Sequence, residues 1–361
     1  MKTEKVPLII MGLGRVGREV LRQLMAEGDA IRRLGGASFD IIAAADSSAA
    51  VSSRVGMDEG LLAQLVALKD AGLTLKEFPG AHPHDSLSDR FAPGVLVADT
   101  SASVDTAPFL RKALEKGCGI VLANKLPLAL PWQDASPFFR SPKVRCESTV
   151  GAGLPVIASL RDLLAGGDGI TAIEGCMSGT LGYLTSQLEQ GAKFSDAVMD
   201  AYRSGYTEPD PRQDLGGLDV ARKALILSRG AGFIKEMADI ALEPLYPVSL
   251  DALSIQDFLQ ALPAQDALYQ QRVASAQAEG KVLRYLARVT PQSISVGLTP
   301  VPKESSLGAL RGTDNYFAFH TRRYNASPLV IAGPGAGIPV TAAGVIADLI
   351  HLAVSCKKES L

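Results

Sequence analysis

The sequence predicts an α/β protein whose N-terminal part is a parallel sheet, and three observations carry that prediction. An apolar run, Val6 to Met11, stops at the glycine-rich turn Gly12-Leu13-Gly14-Arg15-Val16-Gly17. Directly after the turn, Val16, Val20, Leu21 and Leu24 recur at helical spacing. Further apolar runs, separated by helical stretches such as Ala107 to Lys116, stop at polar residues: Phe39 to Ala45 at Asp46, Val95 to Ala98 at Asp99-Thr100-Ser101, and Ile120 to Leu122 at Asn124-Lys125. Strand, tight turn and helix repeated in this way spell βα units, in which ligands sit at the carboxyl ends of the strands.

The glycine turn has a physical reading position by position. In a Rossmann unit the first glycine (Gly12) permits the tight turn, the second (Gly14) lets backbone approach a pyrophosphate, and the third (Gly17) permits close helix–strand packing. The following helix N-terminus, with Arg15 and Val16 in its first turn, favours an anion. Asp46, at the end of the second strand, is expected to hydrogen-bond the adenosine ribose and so to favour NAD. Its separation from Gly17 exceeds the usual ~20 residues, which assigns an extended helix and a loop to the region Gly28 to Ser38. Arg15 and Arg54 keep NADP open, since either can pair with a phosphate, and a plain turn residue is the other reading of Asp46.

After Glu147 the pattern changes. Gly151-Ala152-Gly153-Leu154-Pro155 opens a helix, and strands and helices then alternate less regularly to about Thr321, as expected for an α+β domain. A Gly/Pro-rich run from Pro328 feeds a final apolar helix, Ala342 to Val354, read as returning to the first domain. The expected division is 1–148, 149–325 and 326–361, in keeping with a length of 361 residues, which calls for more than one core.

Composition narrows the function classes. A formal charge of −2 with no basic stripe disfavours nucleic acid and acidic membrane surfaces. The start, Met1 to Lys5, lacks the long apolar segment of a signal peptide, no run is read as spanning a bilayer, and a cytoplasmic location is expected. Cys118, Cys146, Cys176 and Cys356 show no Cys-x-x-Cys spacing and read as reduced, mostly buried side chains. His82 and His84 share a Pro-containing loop and read as solvated, since two ligands make a poor metal site.

The stretch from Gly205 to Lys223 carries the chemistry. Four acids, Glu208, Asp210, Asp214 and Asp219, precede the basic pair Arg222-Lys223. Pro209 and Pro211 keep Thr207 to Pro211 out of helix, and from Leu218 a helix sets Asp219 and Lys223 four residues apart on one face. Spacing alone fits a surface ion pair equally well. The apolar neighbours Val220, Ala221, Ala224, Leu225 and Leu227 favour a buried lysine instead.

Taken with Gly12 to Gly17, Asp99 to Ser101, Ala123 to Ala129, Glu147 to Pro155, Glu174 to Tyr183, and Gly333 to Gly337 with Thr341 to Val345, this segment resembles the homoserine dehydrogenase family over nearly the whole chain. The resemblance implies reversible reduction of L-aspartate 4-semialdehyde to L-homoserine with NADH or NADPH, on the route to threonine and methionine. It also implies that Lys223 is the acid/base group, that Lys125 lies beside the nicotinamide, and that Asp219 orients them. Glu208 would bind the substrate's ammonium group, with Tyr206, Thr180 and Asp214 nearby. The cofactor would meet Gly12, Gly14, Arg15, Val16, Gly17, Asp46, Thr100, Ser101, Lys125 and Gly337. Glu147 and the carbonyls of Val150, Ala152 and Leu154 would hold a monovalent cation such as sodium, a loop that also reads as a glycine-bent hinge. Ser148, Cys176 and Met177 depart from the family's commoner residues and touch pocket detail rather than reaction type. The match leaves no room for an aspartate kinase or ACT domain, so a short, monofunctional homodimer without ACT-type threonine inhibition is expected. Two alternatives stay open: a related dehydrogenase for another amino-acid aldehyde or oxo acid, and a catalytically silent dinucleotide sensor, which would need neither lysine.

Overall fold

The computed structural model describes residues 5–358, with side chains as far as residue 355. The readings made on Met1 to Glu4 and on the Cys356 thiol lie outside the described residues. Two compact units emerge, residues 1–155 with 336–361, and residues 156–335.

The first unit holds a six-stranded sheet made of β1 (Val6–Met11), β2 (Phe39–Ala45), β3 (Ala50–Ser52), β4 (Leu96–Asp99), β5 (Gly119–Leu122) and β6 (Val144–Arg145), in the order β3-β2-β1-β4-β5-β6. All pairs are parallel except β2 with β3, an antiparallel edge the sequence reading did not contain. The chain leaves β1 toward β2 on one side, while β4 flanks it on the other. The carboxyl end of β1 therefore stands at a topological switch point, where open α/β sheets bind ligands.

The first helix runs over Arg15–Gly35, well beyond Leu24, the last residue of the spacing pattern, so the loop expected from Gly28 is helical as far as Gly35. Its last turns have a distant partner: a Cβ on Gly35 would lie 2.9 Å from Ile350 Cδ1 of the terminal helix. Packing of the whole helix along the terminal helix offsets the roughly 1 kcal/mol cost of Gly28 inside a helix. The helix stops where Gly36 takes φ 72°, its N–H capping the Arg32 carbonyl.

The terminal helix, Ile338–Lys358, contains an 18-residue stretch of mean hydropathy 1.7, long and apolar enough to cross a membrane. This corrects the expectation that no run reaches that length. In the structure it packs on the Arg15–Gly35 helix and on β4, β5 and β6, with Ala342, Val345, Leu349 and Leu352 in the same core as Leu8, Ile10, Val20 and Leu21. Its apolarity is that of a core helix.

The second unit is α+β. Its sheet comprises β7 (Ile170–Cys176), β8 (Ile240–Leu242), β9 (Lys281–Val289), β10 (Ile294–Pro302), β11 (Asp314–Thr321) and β12 (Leu329–Pro334), in the order β12-β11-β7-β9-β10-β8. The junctions differ from the expected 148/149 and 325/326. The first unit runs on to Pro155: a Cβ on Gly153 would lie 2.4 Å from the Val340 carbonyl oxygen, and just before it Ser148 Oγ donates to the Thr341 carbonyl at 2.9 Å and the Glu147 N–H donates to Asp348 Oδ2 at 2.8 Å. Residues 326–335 stay in the second unit because β12 pairs antiparallel with β11, and only the chain from Ala336 returns to the first.

Candidate functional site

The glycine turn is built as its spacing requires. Gly12 has φ 95°, and a Cβ there would lie 2.5 Å from the Ser101 nitrogen. A Cβ on Gly17 would lie 2.1 Å from the Gly12 carbonyl oxygen, which already accepts from Thr100 Oγ1 at 2.7 Å. Gly14, by contrast, has nothing within 4 Å of a Cβ position. The first and third glycines are therefore required by protein packing, whereas the second faces open space at the N-terminus of a 21-residue helix. That space suits the anion such a helix end favours, so the loop fits a dinucleotide pyrophosphate.

Thr100 and Ser101 follow β4 beside this loop and are held by a buried polar knot. Asp99, fully buried, accepts from the Ser101 N–H at 2.9 Å and from Thr106 Oγ1 at 2.7 Å. Asn124 donates to Asp99 Oδ2 at 3.0 Å and to the Ser103 carbonyl at 2.7 Å, while its Oδ1 accepts from the Leu126 N–H at 3.1 Å. The knot fixes the backbone on both sides of Lys125, which caps the short Leu126–Ala129 helix past β5. In the sequence Asn124 stands at a strand end and within the Ala123–Ala129 segment, without a role of its own, although its place directly before Lys125 is a usable signal. Asn124→Ala is expected to destabilise the protein by about 2–3 kcal/mol, because it leaves a buried carboxylate under-satisfied; chemical denaturation measures it.

Asp46 sits where expected, beside the glycine loop: the N–H groups of Gly12 and Leu13 donate to the Ala45 carbonyl at 2.8 and 3.1 Å. Its carboxylate, however, is engaged inside the protein. Oδ1 accepts from the Ser48 N–H and Oγ at 2.8 and 2.6 Å, and Oδ2 accepts from Lys69 Nζ at 2.6 Å and the Leu75 N–H at 2.9 Å. Burial by itself would raise this carboxyl's pKa; the bonds from Lys69, Ser48 and Leu75 outweigh it and hold the group well below the usual carboxylate range. Both oxygens assigned to a ribose already have protein donors, so the turn-residue reading describes Asp46 better. Lys69, the decisive partner, carries no local sequence signal because it is 23 residues away. The histidines are also less solvated than expected: His82 bonds Ser52 and Ser86, and His84 Nε2 meets the Asp46 carbonyl.

Glu147 is buried in the first unit, and the loop after it turns through Ala152 at φ 57°, a left-handed conformation that costs a non-glycine residue about 1 kcal/mol. Gly337 lies just before the terminal helix, its carbonyl accepting from Thr341. Among the described residues no cluster of three or more His, Cys, Asp or Glu forms a metal site, and the Cys118, Cys146 and Cys176 side chains are buried.

Of the catalytic candidates, Lys223 and Asp219 come together within the second unit, whereas Lys125 belongs to the first. The Leu218–Gly230 helix buries Val220, Ala221, Ala224, Leu225 and Leu227 together with Lys223, which is 9% exposed. Lys223 Nζ pairs with Asp219 Oδ2 at 2.8 Å and donates to the Met177 carbonyl at 2.7 Å. Met177 lies just past β7, so strand end and helix jointly fix the ammonium position. The Met177 carbonyl was not foreseen, since the contact spans 46 residues. Beside it, Ser178 caps the Gly179–Glu189 helix, Thr180 Oγ1 donates to the Tyr206 carbonyl at 2.6 Å, and Asp214 Oδ2 accepts from the Glu208 N–H at 2.8 Å. Glu208 and Tyr206 are exposed, as a substrate-meeting rim requires.

Asp214 has its pKa raised, first by burial and further by the neighbouring Glu208 and Asp219 carboxylates, against the Glu208 N–H and the Thr180 hydroxyl. A carboxyl raised in the folded state binds its proton more tightly there than in the unfolded chain. Stability therefore falls as pH rises from the ordinary carboxylate value through the folded one. Asp214→Asn is expected to melt higher than the unaltered chain at pH 8, an advantage that disappears at pH values below the ordinary carboxylate range; thermal melts at the two pH values test this.

Comparison with known proteins accords with this arrangement. The family model described as homoserine dehydrogenase matches residues 155–350. Homoserine dehydrogenase of Schizosaccharomyces pombe is 35% identical over 96% of this chain and 95% of its own length. Bifunctional aspartokinase/homoserine dehydrogenase 1 of Zea mays is 35% identical over 95% of this chain, which spans 38% of that relative's length. A hyperthermophilic archaeal homoserine dehydrogenase, solved in complex with NADPH, shares the fold with a TM-score of 0.74 at 22% identity, covering 98% of each chain. With a family model over more than half its length and a relative matched from end to end, the chain belongs to the homoserine dehydrogenase family.

Proposed function

We propose that the chain catalyses the reversible NAD(P)H-dependent reduction of L-aspartate 4-semialdehyde to L-homoserine. The observation that carries this reading is the buried Lys223 ammonium, held between Asp219 and the Met177 carbonyl beside the Thr180, Asp214 and Glu208 cluster. A bound reduced nicotinamide supplies the hydride. Lys223 donates the proton taken up by the substrate oxygen, and Asp219 keeps its ammonium oriented. Glu208 takes the substrate's ammonium group, while Asp214 holds the Glu208 backbone and Thr180 that of Tyr206. In the first unit, Gly12, Gly14, Arg15, Val16 and Gly17 take the pyrophosphate, and Thr100, Ser101, Lys125 and Gly337 line the rest of the dinucleotide site.

Glu147, with the carbonyls of Val150, Ala152 and Leu154, is the proposed seat of a monovalent cation, a role favoured by the buried acid and the left-handed turn at Ala152. A cytoplasmic homodimer assembled through the second unit completes the reading; the reduced cysteines accord with that compartment, and light scattering reads the assembly. The activity is tested by following NADH and NADPH oxidation with aspartate semialdehyde beside succinate semialdehyde, which lacks the ammonium group. Turnover confined to the amino-acid aldehyde is expected. Equal turnover of both would count against the role of Glu208, and turnover of other oxo acids alone would favour a different substrate.

A further inference from the structure

At the amino end of the first unit's sheet a cavity of about 660 Å³ opens between the second half of the Arg15–Gly35 helix, the start of β2 and the start of the Glu59–Asp70 helix. Its volume is that of a small-molecule site rather than of a buried water. Leu24, Ile41, Met57 and Leu62 give it an apolar floor. The length of β2, about 20 Å, separates this end from the glycine turn, and every lining residue belongs to the first unit.

Two features indicate that the cavity is built rather than left over. Gly28 lines it from the helix stripe that carries Leu24 and Ile31, at spacings of four and three residues. A Cβ on Gly28 would meet nothing within 4 Å, so close packing does not require a glycine there, and a helix interior disfavours one. What the missing side chain preserves is the space. The second feature is Asp40, half-buried in the cavity wall, whose carboxylate meets no protein donor among the described residues. The loop opposite is shaped around it: Gly56 takes φ 86°, and a Cβ there would lie 2.0 Å from Asp40 Oδ1. Ser53 Oγ, donating to the Gly56 carbonyl, and the Met57 N–H, donating to the Ile41 carbonyl at 2.8 Å, hold that loop in place. A carboxylate partly withdrawn from water without a donor is unfavourable until a cation reaches it.

The rim carries both signs of charge. Glu59 adds a second acid and Lys5 a base, while Arg32 is already engaged by Asp29 at 2.9 Å. We propose that this cavity binds an α-amino acid with an apolar side chain, at a site separate from that of the substrate: its ammonium meets Asp40, its carboxylate turns toward Lys5, and its side chain covers Leu24, Ile41 and Met57. Acid and base on one rim match the two charges of such a ligand, and the floor selects the apolar side chain. The proposal does not depend on the dehydrogenase reading, because neither the glycine turn nor Lys223 nor Glu208 takes part.

The test is direct binding, with L-leucine as the probe. It is titrated calorimetrically into the unaltered chain beside L-serine, 4-methylpentanoate and 3-methylbutylamine, and into Asp40→Asn, Gly28→Leu and Glu208→Ala, with a thermal melt of each. Leucine should bind the unaltered chain saturably, at roughly millimolar concentration or below, the affinity open to so small a ligand. Serine, which lacks the apolar side chain, and 4-methylpentanoate, which lacks the ammonium, should bind at least about tenfold more weakly. Asp40→Asn should weaken leucine by about tenfold or more, the scale of a lost hydrogen bond to a charged group, and should melt no lower than the unaltered chain. Gly28→Leu fills the cavity, so leucine binding should vanish from a folded protein, whereas Glu208→Ala should leave it within about twofold. No saturable binding of leucine overturns the proposal. So does binding that survives Gly28→Leu, or that is lost in Glu208→Ala and therefore belongs to the substrate site. Binding of 3-methylbutylamine in preference to leucine overturns the amino-acid class. Should Gly28→Leu not fold, Asp40→Asn decides: a leucine affinity within about twofold of the unaltered chain's removes the site. Each of these failures leaves the reduction of the semialdehyde untouched, since turnover is measured apart from them.

Discussion

Lys223→Ala is expected to lower kcat by about 10³-fold, within the range associated with removing a positioned acid/base group, and to leave the dissociation constants of NADH and NADPH within about twofold. The expectation follows from where the ammonium sits. Lys223 is buried on the second unit's helix, and its two named contacts, Asp219 Oδ2 and the Met177 carbonyl, belong to that unit. Its removal does not touch the glycine loop. Steady-state rates and direct titration of each dinucleotide on one preparation separate the two effects. Parallel loss of binding and turnover would show that Lys223 supports the architecture rather than the proton transfer. Stability serves as the control: Asp219, about half-exposed, is left to water, but the buried Met177 carbonyl loses its donor, so a cost of about 1–3 kcal/mol is expected and the rates are compared below the melting temperature of both forms.

Gly17→Ala is expected to abolish dinucleotide binding and to cost about 2–4 kcal/mol of stability, whereas Gly14→Ala should weaken binding with little change in stability. The contrast arises from the space at each position. A methyl on Gly17 would stand 2.1 Å from the Gly12 carbonyl oxygen and 2.7 Å from Thr100 Oγ1, so the turn itself must move. A methyl on Gly14 meets no protein atom within 4 Å and would enter only the volume proposed for the pyrophosphate. Thermal melts and titration with NADPH read both arms. Equal stability losses at the two positions would mean that Gly14 is a packing residue and that the open space at the helix N-terminus holds no ligand.

Much of the first unit was legible in the chain because its signals are local. β1, the glycine turn and β2 fall where their apolar runs and polar stops put them. The Asp219–Lys223 pair was likewise written in four-residue spacing, and its burial in the apolar residues around it. What stayed illegible depends on partners remote in sequence. The Arg15–Gly35 helix overruns its pattern because it packs along the terminal helix, more than 300 residues away in the chain. β12 remains with the second unit because β11 offers it an edge. Asp46 changes meaning because Lys69 and Leu75 reach it from another helix and turn. In each case the residue types were compatible with either outcome, and tertiary contact decided between them.

The reading as a whole stands or falls on product formation. The purified chain, incubated with NADPH and L-aspartate 4-semialdehyde, should form L-homoserine mole for mole with the dinucleotide consumed, quantified by amino-acid analysis against the loss of reduced nicotinamide absorbance. Binding of the dinucleotide without homoserine formation, or its oxidation with a different product, would contradict the assignment of Lys223 and Glu208 to this substrate.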